Sequence, residues 1–265
     1  MISQTYASLL LENPSPHVLQ ITLNRPDAAN AFNTQMATDL AHCFEQLALD
    51  QVDYRCAILT GAGERAFCAG GDLKERDGMS NSAWTAQHLV YERMIRAVID
   101  CPVPVIAAVN GAAYGGGCEL AAGVDFIYAA ESARFALPET SLGIIPGAGG
   151  TQTLARALGE RRAKELIMSA RPFSAVEALQ WGLVNAVFPA DQLIAETLQT
   201  AQAIAANAPV AVRQARQAIH RGLQMSIADG LAFEIESYHR TVPTNDRREG
   251  VRAFVEKRKA EFKGE

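Results

Sequence analysis

Three short apolar runs, each bounded by glycine or polar residues, place the strongest constraint on how this 265-residue chain can fold. The runs are CAILT at 56–60, VIAAVN at 105–110 and DFIYA at 125–129. Runs this short do not suit a buried helix, but they do suit strands that are covered on both faces. Such strands are typical of an α/β fold, in which helices cover a central sheet.

The segments around these runs predict one further strand and two amphipathic helices. Apolar and polar residues alternate over 19–23, which predicts a half-buried strand. Apolar residues recur at helical spacing over 36–47, behind Asn33 and Thr34 as possible N-caps, and again over 91–99. The first part of the chain therefore alternates between strand-like and helix-like segments.

The pattern changes near residue 190, after which helical periodicity continues without a strand-like run. The sequences at 174–177 and 246–249 both have the spacing of a capping box, which predicts a helix start at each. We therefore expect an α/β core over residues 1–190 and a helical region over 191–265.

Composition and charge exclude several classes of protein. Apolar residues make up 49% of the chain, enough for a globular core, and the formal net charge of −5 is unfavourable for binding nucleic acid. No run approaches the roughly 20 apolar residues of a membrane helix, and the N-terminus shows no signal or transit pattern, so we expect a cytoplasmic protein. The five cysteines form no CxxC pair and fit buried thiols, so we expect no disulfide framework and no metal site.

Glycine-bearing turns follow strand-like runs at 61–75, 110–119 and 146–152. The first contains a GxGxxA pattern like that of dinucleotide-binding proteins. In such a motif Gly70 and Gly71 would fall inside the helix, where glycine is unfavourable. A nicotinamide cofactor is therefore disfavoured.

The turn at 110–119 predicts the start of a helix that can bind an anionic oxygen. A strand-like run leads into Gly115–Gly117, and CELAAG continues like a helix. The first N–H groups of a helix have no internal partner, and glycine lets a ligand approach them closely. Glu119 lies in this first turn. Taken alone, tight glycine packing beside a helix-stabilising acid explains the pattern equally well.

A second acid, Glu139, occupies a similar position after a strand-like segment. It follows Pro138, which suits the first position of a short helix. Two first-turn acids and two glycine turns that expose backbone N–H groups together outline an acid/base pair beside an oxyanion hole.

At these residues the sequence resembles the crotonase superfamily, the enoyl-CoA hydratase/isomerase group. The resemblance is collinear and covers nearly the whole chain. Its segments are NRPDAANAF (24–32), GERAFCAGGDLKE (63–75), PVPVIAAVNGAAYGGGCELA (102–121), ALPETSLGIIPGAGGTQ (136–152) and TNDRREGVRAFVEKRKAEFKGE (244–265). Within the superfamily, GGDLKERDGMS and TVPTNDRREG…FKGE resemble the 3-methylglutaconyl-CoA hydratase subgroup.

The resemblance implies a crotonase-like spiral of ββα units followed by a helical region that forms homotrimers or hexamers (dimers of trimers). It implies an oxyanion hole made by the N–H groups of Gly71 and Gly116. It also implies an enoyl-CoA hydratase in which Glu119 activates water and Glu139 protonates the α-carbon of a 2-enoyl-CoA. Filling both glutamate positions favours hydration over isomerisation. No cofactor is expected, because coenzyme A is part of the substrate.

The same comparison implies a coenzyme A site over residues 69–74, with the adenine near Ala69 and Leu73. Lys74 is a candidate for binding phosphate as a point charge. Asp72 directly follows one of the two oxyanion-hole glycines. A role in ordering that turn explains this residue better than a catalytic role does.

Three residues outside this segment are implied as well. Arg65 is a second candidate for the phosphates, while Phe254 and Lys257 on the last helix would help to close the pocket. For Arg65 and Lys257, a solvated surface charge is an equally good explanation.

Several alternatives stay open at this point. Isomerase, thioesterase and decarboxylase reactions also fit a crotonase-type oxyanion hole. A Ser/His/Asp hydrolase is disfavoured because the five histidines lie outside any motif and no GxSxG elbow is present. RNA binding is disfavoured because the helix predicted over 34–49 lacks Lys and Arg, and the basic residues at 247–259 alternate with acids. The acyl group is undetermined, with Trp84, Tyr114 and Ile144 as candidate lining residues.

Overall fold

The computed structural model describes residues 5–50 and 53–265. Residues 1–4 and 51–52 lie outside the described residues. They belong to the predicted 1–190 core, and residues 1–4 also belong to the N-terminus that shows no signal or transit pattern. The strands are β1 (Leu9–Ser15), β2 (Val18–Leu23), β3 (Cys56–Gly61), β4 (Ala66–Cys68), β5 (Val105–Val109), β6 (Ala112–Tyr114), β7 (Phe126–Ala130), β8 (Arg134–Ala136), β9 (Phe173–Ser174) and β10 (Ala186–Phe188). The α-helices are α1 (Thr34–Leu49), α2 (Leu73–Arg76), α3 (Asn81–Ile99), α4 (Gly116–Ala122), α5 (Gly150–Leu158), α6 (Glu160–Ser169), α7 (Ala175–Trp181), α8 (Leu193–Ala205), α9 (Pro209–Gly222), α10 (Ile227–His239) and α11 (Asn245–Glu256). Short 3-10 helices span Pro26–Ala28 and Glu139–Leu142.

The strands form two sheets, and the chain alternates between them. The larger sheet has the strand order β1-β2-β3-β5-β7-β10 and the smaller one β4-β6-β8-β9. From β3 to β8, each strand of the larger sheet is followed by one of the smaller sheet and then by helix: α2 and α3 after β4, α4 after β6, and α5 and α6 after β8. This confirms the expected spiral of ββα units.

The three apolar runs form the centre of the larger sheet, as predicted. β3 pairs in parallel with β5, and β5 with β7, so that Ile58 lies opposite Ile106 and Ile106 opposite Phe126. Every residue of β3 and β5 is buried. β2 is buried more completely than the predicted half-buried strand, because it lies inside the sheet between β1 and β3. Even Thr22, on its polar side, is only 8% exposed.

Side-chain caps define several helix starts. Asn33 caps α1 as predicted, since its Oδ1 accepts a hydrogen bond from the Met36 N–H at 3.0 Å. The capping box at 174–177 is also confirmed, with reciprocal hydrogen bonds before α7. The capping box predicted at 246–249 is wrong, because α11 begins two residues earlier, behind Thr244 as its N-cap.

Asp246 binds the C-terminal tail instead of capping α11. Its carboxylate accepts hydrogen bonds from the N–H groups of Lys263 at 2.7 Å and Gly264 at 2.8 Å. The C-terminal tail thereby folds back on the start of α11. Thr244 supplies the cap instead, through its hydroxyl at 3.1 Å from the Arg247 N.

The C-terminal helices begin close to residue 190, but they do not all belong to one region. α8 packs against the larger sheet, and its residues Thr197 and Ala201 are completely buried. By contrast, α9 to α11 lie outside the α/β core and expose large apolar side chains, such as Ile219 at 65% and Phe254 at 86%. No helix in the described part of the chain is long and apolar enough to cross a membrane.

Candidate active site

The first glycine turn leaves β4 and is held in place by a backbone bridge to Phe32. The Phe32 N–H donates to the Gly70 carbonyl at 2.8 Å, and the Asp72 N–H donates to the Phe32 carbonyl at 3.0 Å. Backbone groups alternate in direction along an extended segment. Since Gly70 and Asp72 face Phe32, the N–H of Gly71 between them points away from it.

The second glycine turn lies directly beside the first. Gly115, with a φ of +54°, precedes α4, and Gly116 is the first residue of that helix. A Cβ added to Gly70 would lie 3.0 Å from the Gly116 nitrogen, so the two turns are in contact. A Cβ on Gly116 would lie 2.3 Å from the ring of Phe32, so no larger residue fits. The N–H of Gly116, at the helix start, has no partner within α4.

Glu119 lies in the first turn of α4 and is only 2% exposed. Its Oε1 accepts hydrogen bonds from the N–H groups of Ala148 at 2.8 Å and Gly150 at 2.7 Å. Gly150 is the first residue of α5, so two donors near a helix N-terminus converge on one carboxylate oxygen. Burial raises the pKa of Glu119, and these N–H groups oppose that rise.

Glu139 begins the short 3-10 helix, where Pro138 is the N-cap rather than the first helical residue. Glu139 is 7% exposed, and its buried Oε2 has no hydrogen-bond partner among the described residues. Its Oε1 lies 3.1 Å from the position of a Cβ on Gly115, at the edge of the second turn. Burial, and to a smaller extent the charge of Glu119, raises the pKa of Glu139 to about 7.

These groups line one cavity of about 720 Å³. Gly71, Gly116, Glu119 and Glu139 all face it. Most of the other lining residues are apolar or aromatic: Phe32, Leu73, Trp84, Tyr91, Tyr114, Leu142, Ile144, Ile145 and Pro146. A volume of this size is typical of small-molecule sites. Two buried carboxyl groups beside the backbone N–H groups of two glycine turns can transfer protons while an oxygen gains negative charge.

The residues expected at coenzyme A separate into two groups. Ala69 and Leu73 line the cavity, as do the expected acyl-side residues Trp84, Tyr114 and Ile144. Arg65, Lys74, Phe254 and Lys257 are not among the lining residues.

Asp72 does not line the cavity either, and its carboxylate orders the first turn. Its Oδ1 accepts from the N–H of Lys74 at 3.1 Å, and its Oδ2 pairs with Arg25 at 3.0 Å.

Several lining residues were not anticipated from the sequence. Phe32 contacts both glycine turns. Arg76 reaches the cavity from α2, and His88 and Tyr91 reach it from α3. His88 fits a helical pattern and gave no sign that it faces the cavity. The third glycine turn is evident in the sequence, but its hydrogen bond to Glu119 is not, because that bond joins residues 31 positions apart.

Comparison with known proteins identifies the family. A family model described as enoyl-CoA hydratase/isomerase matches residues 14–265. The chain belongs to the enoyl-CoA hydratase/isomerase family. It is therefore an enzyme, as the sequence resemblance implied, and the crotonase fold is confirmed.

Individual members of the enoyl-CoA hydratase/isomerase family match this chain along nearly its whole length. The protein YngF of Bacillus subtilis is 47% identical over 257 residues, 97% of this chain and 98% of that protein. A short-chain-enoyl-CoA hydratase of Clostridium acetobutylicum is 42% identical over 244 residues, 92% of this chain and 93% of the relative. The crystal structure of an enoyl-CoA hydratase from Bacillus anthracis superposes with a TM-score of 0.95 at 45% identity and covers 97% of this chain and 100% of that one. The 3-methylglutaconyl-CoA hydratase subgroup stays a prediction.

Proposed function

We propose that this enzyme is an enoyl-CoA hydratase, which adds water reversibly to the double bond of a 2-enoyl-CoA thioester. One observation carries the proposal: two buried carboxyl groups, Glu119 and Glu139, share a cavity with the glycine turns at Gly71 and Gly116. Two carboxyl groups on one side of the substrate suit a syn addition. An isomerase that moves one proton needs only one of them.

Glu119 is the group that activates water. The two N–H groups on its Oε1 favour the ionised form and fix the carboxylate, which leaves Oε2 for a water molecule. The water oxygen bonds to the β-carbon while its proton passes to Glu119. The double-bond electrons move toward the thioester, whose oxygen gains negative charge.

Glu139 is the group that protonates the α-carbon. Its raised pKa keeps much of it protonated near neutral pH, so it can supply the second proton. The N–H groups of Gly71 and Gly116 stabilise the thioester oxygen, and one such donor is typically worth a factor on the order of 10²–10³ in rate. Dehydration reverses both proton transfers.

The acyl group occupies the cavity, and coenzyme A extends over residues 69–74. Ala69 and Leu73, which line the cavity, contact the adenine end, while Lys74 and Arg65 lie outside it as candidates for the phosphates. Either a short-chain acyl group or 3-methylglutaconyl fits a cavity of about 720 Å³. The reaction requires no further cofactor.

The outer helices support a homo-oligomer. A groove between α9 and α10 is lined by exposed apolar side chains: Ile219, Leu223, Ile227, Leu231 and Tyr238. Exposed apolar side chains that lie next to one another are typical of a protein–protein contact surface. We propose that the helices over 206–265 form the contacts of a trimer or of a hexamer, with Phe254 and Lys257 part of that surface. Light scattering during gel filtration measures the mass, and a 28.5-kDa species would contradict this proposal.

The hydratase proposal is tested by the loss of enoyl-thioester absorbance with crotonyl-CoA and 3-methylglutaconyl-CoA. Wild type is compared with Glu119→Gln, Glu139→Gln and the control Glu131→Gln, whose side chain is exposed. Turnover should fall on the order of 10²–10⁴-fold in each of the first two variants and stay unchanged in the control. The ratio of the two substrates bears on the subgroup. A wild-type enzyme that binds acyl-CoA but hydrates neither substrate would point to isomerase, thioesterase or decarboxylase chemistry.

A further inference from the structure

A buried arginine forms part of the wall of the proposed acyl cavity. Arg76 is the last residue of α2, lines the cavity and is only 9% exposed. Its guanidinium carbon lies 4.1 Å from the ring centre of Trp84 and 4.8 Å from that of Tyr91. Two aromatic rings thus hold the planar group in a fixed orientation.

The hydrogen bonds of Arg76 are incomplete. Its Nε donates to the Gln87 Oε1 at 2.7 Å, but its buried Nη2 has no partner in residues 5–50 or 53–265. Within the same ranges, no carboxylate forms an ion pair with it. The neighbouring acid, Glu75, is already engaged: its Oε2 accepts from the Gln87 Nε2 at 2.7 Å and from the Thr34 N–H at 2.9 Å.

An unpaired guanidinium at this depth is costly. Arginine stays charged at any physiological pH, and charged groups are seldom fully buried unless an anion accompanies them. Since the described residues supply no such anion to Arg76, one that enters through the cavity would complete its hydrogen bonds. The planar fork of a guanidinium fits the two oxygens of a carboxylate.

We propose that Arg76 binds a carboxylate at the far end of the acyl group, so that the preferred substrates are 2-enoyl-CoA thioesters of dicarboxylic acids. This rests on the proposed hydratase function and names the substrate class of the same site. An uncharged acyl group leaves Arg76 unpaired beside apolar surface. A terminal carboxylate pairs with it and gains charge-assisted hydrogen bonds.

The test compares kcat/KM for glutaconyl-CoA with kcat/KM for crotonyl-CoA, which is the same acyl group without the terminal carboxylate. The variants are Arg76→Met, which keeps the length but removes the charge, and Arg76→Lys, which keeps the charge but loses the fork. Arg96→Met, at an exposed position of α3, removes the same charge away from the cavity.

Wild type should prefer glutaconyl-CoA. We expect Arg76→Met to lower the glutaconyl/crotonyl ratio by a factor on the order of 10², Arg76→Lys to lower it less, and Arg96→Met to leave it unchanged. The ratio is measured within one protein, so a partly destabilised variant still gives a valid result. An equal loss with both substrates would overturn the proposal.

Binding of unreactive thioesters separates this proposal from the hydratase proposal. Calorimetry with glutaryl-CoA, butyryl-CoA and free coenzyme A requires no turnover. A selective loss of glutaryl-CoA affinity in Arg76→Met supports the carboxylate site even if wild type hydrates nothing. If that variant instead loses affinity equally for all three, Arg76 pairs with a coenzyme A phosphate and the proposal fails.

Discussion

The surroundings of Glu119 and Glu139 differ in how many backbone N–H groups they supply. Glu119 stands where the starts of α4 and α5 meet, and its Oε1 accepts from both Ala148 and Gly150. Glu139 stands at the start of a four-residue 3-10 helix, and its buried Oε2 has no partner in the described residues. Both side chains are nevertheless almost completely buried.

The opposite roles that we propose for the two glutamates follow from this difference. Burial raises the pKa of both carboxyl groups, because it disfavours the charged form. At Glu119 the N–H groups of Ala148 and Gly150 counteract that effect and favour the carboxylate, whereas at Glu139 only its own backbone N–H does so. In the proposed hydratase mechanism, this difference makes Glu119 the base and Glu139 the acid.

Removing one donor from Glu119 should have the largest effect on this asymmetry. In Ala148→Pro the N–H that donates to the Glu119 Oε1 at 2.8 Å is absent, while the bond from the Gly150 N–H remains. A hydrogen bond to a charged group is worth about 1.5–3 kcal/mol, so we expect kcat with crotonyl-CoA to fall about 10- to 100-fold. Steady-state kinetics measure this.

Ala148→Ser is the matched control, because it changes the side chain but keeps the N–H. It should retain most of the wild-type kcat. If serine lowers kcat as much as proline does, packing at position 148 matters and the hydrogen bond does not.

The pH dependence of hydration tests which acid must be protonated. With Glu139 as the acid and a pKa raised to about 7, activity requires the protonated form. We expect kcat/KM for crotonyl-CoA hydration to fall about tenfold per pH unit above an apparent pKa near 7. A decline below that pH instead would mean that Glu139 is the base, and the roles of the two glutamates would be exchanged.

Much of the site could be predicted from the sequence because its chemistry is carried by local patterns. Their first-turn positions beside glycine turns marked Glu119 and Glu139 as candidates, the family resemblance added Gly71 and Gly116, and the structure brings all four to one cavity. Arg76 could not be identified in this way. A single arginine in a short helix is normally exposed, and only the packing of α2 against α3 buries it.

The fold shows the same division between local and distant information. The central strands were predictable from short apolar runs, because burial on both faces leaves a direct signal. The alternation between two sheets leaves no such signal in the sequence, because β4, β6 and β8 have only three residues each and are too short to show a pattern. The prediction of a cap at Asp246 was wrong for a similar reason, because it depends on a distant contact. The N–H groups of the tail residues Lys263 and Gly264 donate hydrogen bonds to the Asp246 carboxylate.

The smallest expected effect concerns stability. Glu139 titrates at about 4.5 when unfolded and at about 7 when folded, so the folded state binds more protons between these values. Stability therefore falls as the pH rises through that window, and the loss is complete above it. Glu139→Gln removes the titrating group, so its Tm relative to wild type should be higher at pH 8 than at pH 5 by several degrees, on the order of 5–10 °C. The exposed Glu131→Gln serves as control and should give the same difference at both pH values. A Glu139→Gln difference that does not change with pH would show that Glu139 is solvated in the folded enzyme, and its surroundings would then no longer distinguish it as the acid.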